Sequence, residues 1–89
     1  MDKDELLDEV KSIWDNGGKT LDRYTIVLFG DGTVNYPLYE CFGMSDNPTH
    51  PLGFSQYSTC MEGKHLGELI QFDELPEEVQ KHLLDRLTF

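Results

Sequence analysis

No stretch of this chain approaches the roughly 20 consecutive apolar residues of a membrane-spanning helix. Basic residues are scarce, with seven Lys and Arg against 17 Asp and Glu, a formal net charge of −10. A surface this negative disfavours direct contact with nucleic-acid phosphate or anionic lipid. Two cysteines are too few for a disulfide framework. They fit a reducing, cytoplasmic setting. The opening residues Met1-Asp2-Lys3-Asp4-Glu5 carry neither a basic segment nor an apolar core, so no signal peptide is expected there. Asn47-Pro48-Thr49 has proline in the middle position, which excludes N-glycosylation.

At 89 residues, 38% of them hydrophobic, the chain supports one domain, 1–89, with one core. The acids are spread along its length and do not form a tail. Such a pattern is common among cytosolic proteins, and it also favours cations or basic partner proteins.

Residues 3–15 carry Leu6, Leu7, Val10, Ile13 and Trp14 at helical spacing, with Asp4, Glu5, Asp8, Glu9 and Lys11 between them. This predicts an amphipathic helix ended by Asn16-Gly17-Gly18. Residues 24–29, Tyr-Thr-Ile-Val-Leu-Phe, predict a strand with a turn at Gly30-Asp31-Gly32. Thr33 to Tyr36 could continue that hairpin, although Pro37 confines it to an edge. Further strands are expected at Leu38–Phe42, within Ser55–Met61, and at His65–Phe72. Pro76, Glu77 and Glu78 open a last helix, with Val79, Leu83 and Leu87 as its core stripe and Leu84 beside them. The expected fold is α+β: an N-terminal helix, a three- to four-stranded antiparallel sheet and a C-terminal helix, with the helices on one face.

Gly18-Lys19-Thr20 resembles the end of a phosphate loop, but Ile13 stands where the first glycine belongs and the order of elements is reversed. Cys41, His50, Cys60 and His65 contain no close ligand pair of the kind that structural zinc uses, so no metal or cofactor is expected. A cross-strand disulfide between the cysteines is geometrically conceivable. Cysteine–histidine or Asp46/His50 chemistry has the right residue types without a motif to join them, and no catalysis is expected.

The segment Gly43–Tyr57 combines turn-forming, polar and aromatic residues. Asx side chains bond to backbone amides two residues on, so Asp46-Asn47-Pro48 reads as a turn. Asp46, Asn47, His50, Phe54, Ser55, Gln56 and Tyr57 form a candidate binding loop. Glu5, Asp8 and Glu9 on the first helix and Glu77 and Glu78 on the last are the candidate carriers of an acidic surface.

The Ser45-Asp46-Asn47-Pro48 loop, His65-Leu66-Gly67 and the Leu75-Pro76-Glu77-Glu78 helix start resemble a group of small uncharacterised proteins of bacteria, bacteriophages and mobile elements. The likeness runs from about Asp22 to Leu87. It implies a phage or prophage setting in a bacterial cytoplasm and imports no catalytic residues. The leading expectation is a non-enzymatic acidic protein that inhibits or modulates a basic, nucleic-acid-binding host protein by mimicking phosphate charge. The alternative is a small-molecule or peptide-binding module using the 43–57 loop. An enzyme or a self-assembling structural protein ranks behind both, and the sequence leaves the oligomeric state open.

Overall fold

The computed structural model describes residues 3–20, 22–29, 38–47 and 58–87. The fold is α+β. A short helix α1 (Lys3–Leu7) leads into strands β1 (Val10–Asp15), β2 (Tyr24–Leu28), β3 (Tyr39–Met44), β4 (Ser58–Cys60) and β5 (Glu68–Ile70), and helix α2 (Glu77–Leu87) follows. Single 3-10 turns at Lys64–Leu66 and Phe72–Glu74 flank β5. The sheet is antiparallel, in the order β4-β3-β2-β1-β5. Five strands replace the three or four expected. The turn at Gly30-Asp31-Gly32 and the Thr33–Tyr36 segment lie outside the described residues.

The helix expected over 3–15 is replaced by α1 and β1, and a bulge accounts for the misreading. The β1–β2 register slips between Val10, opposite Leu28, and Ser12, opposite Val27, leaving Lys11 as the extra residue. An extra residue turns the two-residue period of a strand into a local spacing of three. Val10 and Ile13 therefore share the core face, which in sequence looks like a helical stripe. Trp14 falls on the other face, opposite Thr25 and Leu69. Asn16-Gly17-Gly18 accordingly belongs to the β1–β2 connection and does not cap a helix. Gly17 and Gly18 both hold positive φ, 78° and 87°. The Asp15 and Asn16 carboxyl and amide oxygens accept hydrogen bonds from the Gly17, Gly18 and Lys19 amides.

One face of the sheet carries Ile13, Tyr24, Ile26, Leu28, Phe42 and Met44 into the core. Leu6 of α1 and Leu75, Val79, Leu83 and Leu87 close that core, with Val10, Ile70, Phe72 and Leu84 packed around it. The stripe expected on α2 is the one buried. Each such aliphatic side chain removed from water contributes about 1.5–3 kcal/mol before entropy is counted. Among the described residues no helix is long and apolar enough to cross a membrane.

The opposite face is crossed by the chain itself. β4 and β5 are the two edges of the sheet, so residues 61–67 must travel past β3, β2 and β1 to connect them. Glu62 of this strap bonds to Lys11 and Ser12 of β1. Ser12 lies opposite Val27, which lies opposite Cys41, so the strap runs over the face away from the helices. Val27 and Cys41 are buried there, although neither belongs to the main core.

Gly67 ends the strap with φ 112° and ψ −138°, a combination open to glycine and little else. A Cβ at Gly67 would lie 2.1 Å from the Asp15 carbonyl oxygen. Gly67→Ala is therefore expected to push β5 off β1 and to cost at least about 3 kcal/mol. Urea denaturation measures this, and a loss under about 1 kcal/mol would refute the close packing.

Candidate functional site

Two regions collect functional side chains. The first is the strap face of β1. The bulge at Lys11 turns both Lys11 and Ser12 toward the strap. Lys11 and Ser12 donate to the two carboxylate oxygens of Glu62, and Trp14 Nε1 donates to Ser12 Oγ at 2.9 Å. The Lys11 ammonium also sits 4.8 Å from the centroid of the Tyr39 ring on β3. Burial alone would raise the Glu62 carboxyl, but the bonds from Lys11 and Ser12 outweigh it and hold the group below its ordinary range. The same bond to Glu62 raises Lys11, against the effect of its own burial.

Beside this network is a cavity of about 490 Å³. It lies along the part of β1 that β5 leaves uncovered. β5 pairs with Ile13, Trp14 and Asp15, so among the described residues Val10–Ser12 have no strand on that side. Leu7, Val10, Ile13, Trp14, Leu69, Ile70 and Phe72 give the cavity apolar walls, and Lys11, Ser12, Glu62 and Gln71 supply its polar groups.

The second region is the helical layer. Glu5 on α1, Asp8 and Glu9 in the turn after it, and Glu77 and Glu78 at the start of α2 are all exposed. The two helices touch, and the acids at both ends of the chain are exposed. Asp4, Asp73, Glu74 and Asp85 are exposed there as well. Within residues 3–9 and 73–87 there are nine acids and three bases, Lys3, Lys81 and Arg86. The Arg86 guanidinium lies 4.7 Å from the centroid of the core Phe42 ring.

Of the candidate loop, Asp46 and Asn47 are exposed, while His50, Phe54, Ser55, Gln56 and Tyr57 lie outside the described residues. The start of the loop is tied down. Ser45 is buried, and its hydroxyl accepts from the Asn47 amide at 3.0 Å. The two-residues-on bond thus comes from Ser45. Asp46 has Pro48 two positions on, which offers no N–H. Asp46 instead pairs with Arg23 at 3.6 Å, and Arg23 grips Asp15 more closely, at 2.9 and 3.2 Å. The Arg23 bond draws the Asp15 carboxyl below its ordinary range, aided by the Gly17 amide and opposed by burial.

Both cysteines are free. Cys41 opposes Ser58 and Cys60 opposes Tyr39, so the two thiols occupy diagonal positions on the strap face. Burial first, and then a hydrogen bond with Cys41, pushes the Cys60 thiol up to about 12. His65 is exposed on the strap. Among the described residues no three His, Cys, Asp or Glu side chains are grouped closely enough to hold a metal ion. The strap network and the cavity were missed in sequence because both depend on where β5 lands. The chain matches no family model, no curated protein and no solved structure.

The depressed carboxylates fix a pH dependence. Unfolded Asp and Glu titrate near 4. A folded value below that contributes stability that is complete above about pH 5 and is lost as pH falls through the folded value. Glu62→Gln and Asp15→Asn are each expected to cost about 1 kcal/mol at pH 7, the half-exposed setting limiting the effect. The gap from wild type should close toward pH 2.5 in urea titrations; a gap independent of pH would refute the ion pairs. For the thiols, a value near 12 leaves on the order of a thousandfold less Cys60 thiolate at pH 8 than an ordinary cysteine has. Ellman's reagent should therefore label the folded protein slowly and the urea-unfolded protein at once. Equal rates would show the thiols to be open.

Proposed function

We propose that this chain is a small acidic, non-enzymatic binding protein whose helical layer engages a basic partner protein. The carrying observation is the convergence of α1 and α2. Glu5, Asp8 and Glu9 and, on the helix that α1 touches, Glu77 and Glu78 are all exposed, with nine acids to three bases in these segments. Of the four bases elsewhere, Lys19 and Lys64 are exposed and two are engaged by carboxylates. Lys11 is committed to Glu62, and Arg23 to Asp15 and Asp46. Exposed acids of this kind suit a groove that otherwise takes nucleic-acid phosphate, and such complementarity speeds encounter and selects partners. The Ser45–Pro48 and Leu75–Glu78 motifs support a phage or prophage origin, in a bacterial cytoplasm, with inhibition or modulation of a nucleic-acid-binding host protein as the outcome.

A second reading, a module for a small molecule or peptide, is supported by the cavity beside β1. Of the loop positions that reading began from, the described ones are Asp46 and Asn47.

The test of the first reading is capture from bacterial lysate by wild type and by the variant Glu5→Lys, Asp8→Lys, Glu77→Lys, Glu78→Lys. Wild type is expected to retain nucleic-acid-binding proteins at 50 mM salt, to release them by 500 mM, and to lose them to added duplex DNA. The reversed variant, folded by circular dichroism, should capture at least about tenfold less. Capture that survives both high salt and charge reversal would exclude the proposal.

A further inference from the structure

We propose that the cavity beside β1 is a strand-addition site for an extended peptide in which apolar and basic residues alternate. The inference rests on the second reading above and names its ligand class.

The half-covered strand carries it. β5 stops at Ile70 because the chain turns into the Phe72–Glu74 3-10 turn. Continued in register, it would have met Ser12 and then the bulge. β1 thus has a paired half, Ile13–Asp15, and a half, Val10–Ser12, that no strand of the described residues pairs on that side, and the cavity follows the second half. Three strand residues span about 10 Å. An added segment there would continue the line of β5 and pair through its backbone, as sheet-edge recognition does.

The two sides of the cavity differ, which specifies the side chains. Val10, Ile13 and Phe72 form the wall toward the core, and Ser12 and Glu62 stand toward the strap. Successive side chains of a strand point to opposite faces. An occupant would therefore set apolar residues against the core side and polar ones against the strap side. Lysine on an open edge ordinarily deters pairing. Here Lys11 is turned over Tyr39 and held by Glu62. The acids nearest the cavity in sequence, Asp8, Glu9 and Asp73, are exposed and favour a cationic occupant.

Trp14 lines the cavity and is the chain's single tryptophan, so its emission reports occupancy. The probe is the acetylated, amidated pentapeptide Val-Lys-Val-Lys-Val. Controls are the same peptide with alternate backbone nitrogens methylated, Val-Glu-Val-Glu-Val, and N-acetyl-lysine amide. The expected result is a saturable Trp14 shift with the lysine peptide, together with slowed amide exchange at Val10, whose backbone faces away from β2. The methylated and glutamate peptides should bind at least tenfold more weakly. Leu69 lines the cavity yet is 54% exposed. Leu69→Arg should lower affinity at least tenfold, while Leu69→Glu keeps it within threefold. Equal binding of the methylated peptide, or no added protection at Val10, overturns strand addition. If N-acetyl-lysine amide binds as tightly as the peptide, the inference falls and the cavity remains a small-molecule site. If no probe moves Trp14, both fall.

Discussion

Strand β1 pairs with β2 on one side and with β5 on the other, so the last strand in sequence lies against the first. This closure determines most of the molecule. It brings Ile70 beside Ile13 and Ile26 beside Phe42, in one row across the sheet. It returns the chain to the end of β1 from which α2 can pack on that row. It also forces the connection from β4 to cross the whole sheet. The helices hold one face, so the strap takes the other, and Val27 and Cys41 find cover on a face that a two-layer fold would leave wet. The Glu62 bonds to Lys11 and Ser12 pin the strap where it passes β1, and Gly67 lets it drop into the sheet at van der Waals distance from Asp15.

The same closure sorts the charges. A chain with few bases has to use them where an unpaired carboxylate would be most costly. Lys11 meets Glu62 under the strap, and Arg23 meets Asp15 at the β1–β2 connection. Both carboxylates are partly shielded from water. Nine of the remaining acids fall in the helical segments 3–9 and 73–87, where the amino-terminal dipole of α2 favours Glu77 and Glu78. The anionic layer is thus a consequence of how scarce bases are distributed as well as of composition.

How far this could be read beforehand differs between elements, for physical reasons. α2 was legible because proline, acids and the Val79-Leu83-Leu87 stripe all describe one helix. β2 was legible because Tyr24-Thr25-Ile26-Val27-Leu28 has strand character at every position. β1 was misread because its bulge sets Val10 and Ile13 three apart on one face, which imitates helical spacing. β5 was placed within a longer strand, since nothing local in Gly67 or Gln71 announces that the sheet ends there. The exposed acids were legible individually, but the contact between α1 and α2 was not. The strap network and the cavity were invisible, because a residue pair such as Ser12 and Glu62 becomes chemistry only through a contact 50 positions long.

That last point bears on function. A strand whose partner stops halfway leaves backbone groups that water must satisfy, and natural sheets usually cover or blunt such edges. Here the ordinary blunting group, Lys11, is spent on Glu62. The helical acids could draw a basic chain toward the protein at long range, but a diffuse field does not choose among cationic partners. Backbone pairing at Val10–Ser12 would supply the directionality that the field lacks. The acids of the Asp8–Glu9 turn belong to the helical layer and directly precede Val10, so the two surfaces adjoin. A partner held by its charge on the helices would therefore have its extended segment delivered next to the open half of β1.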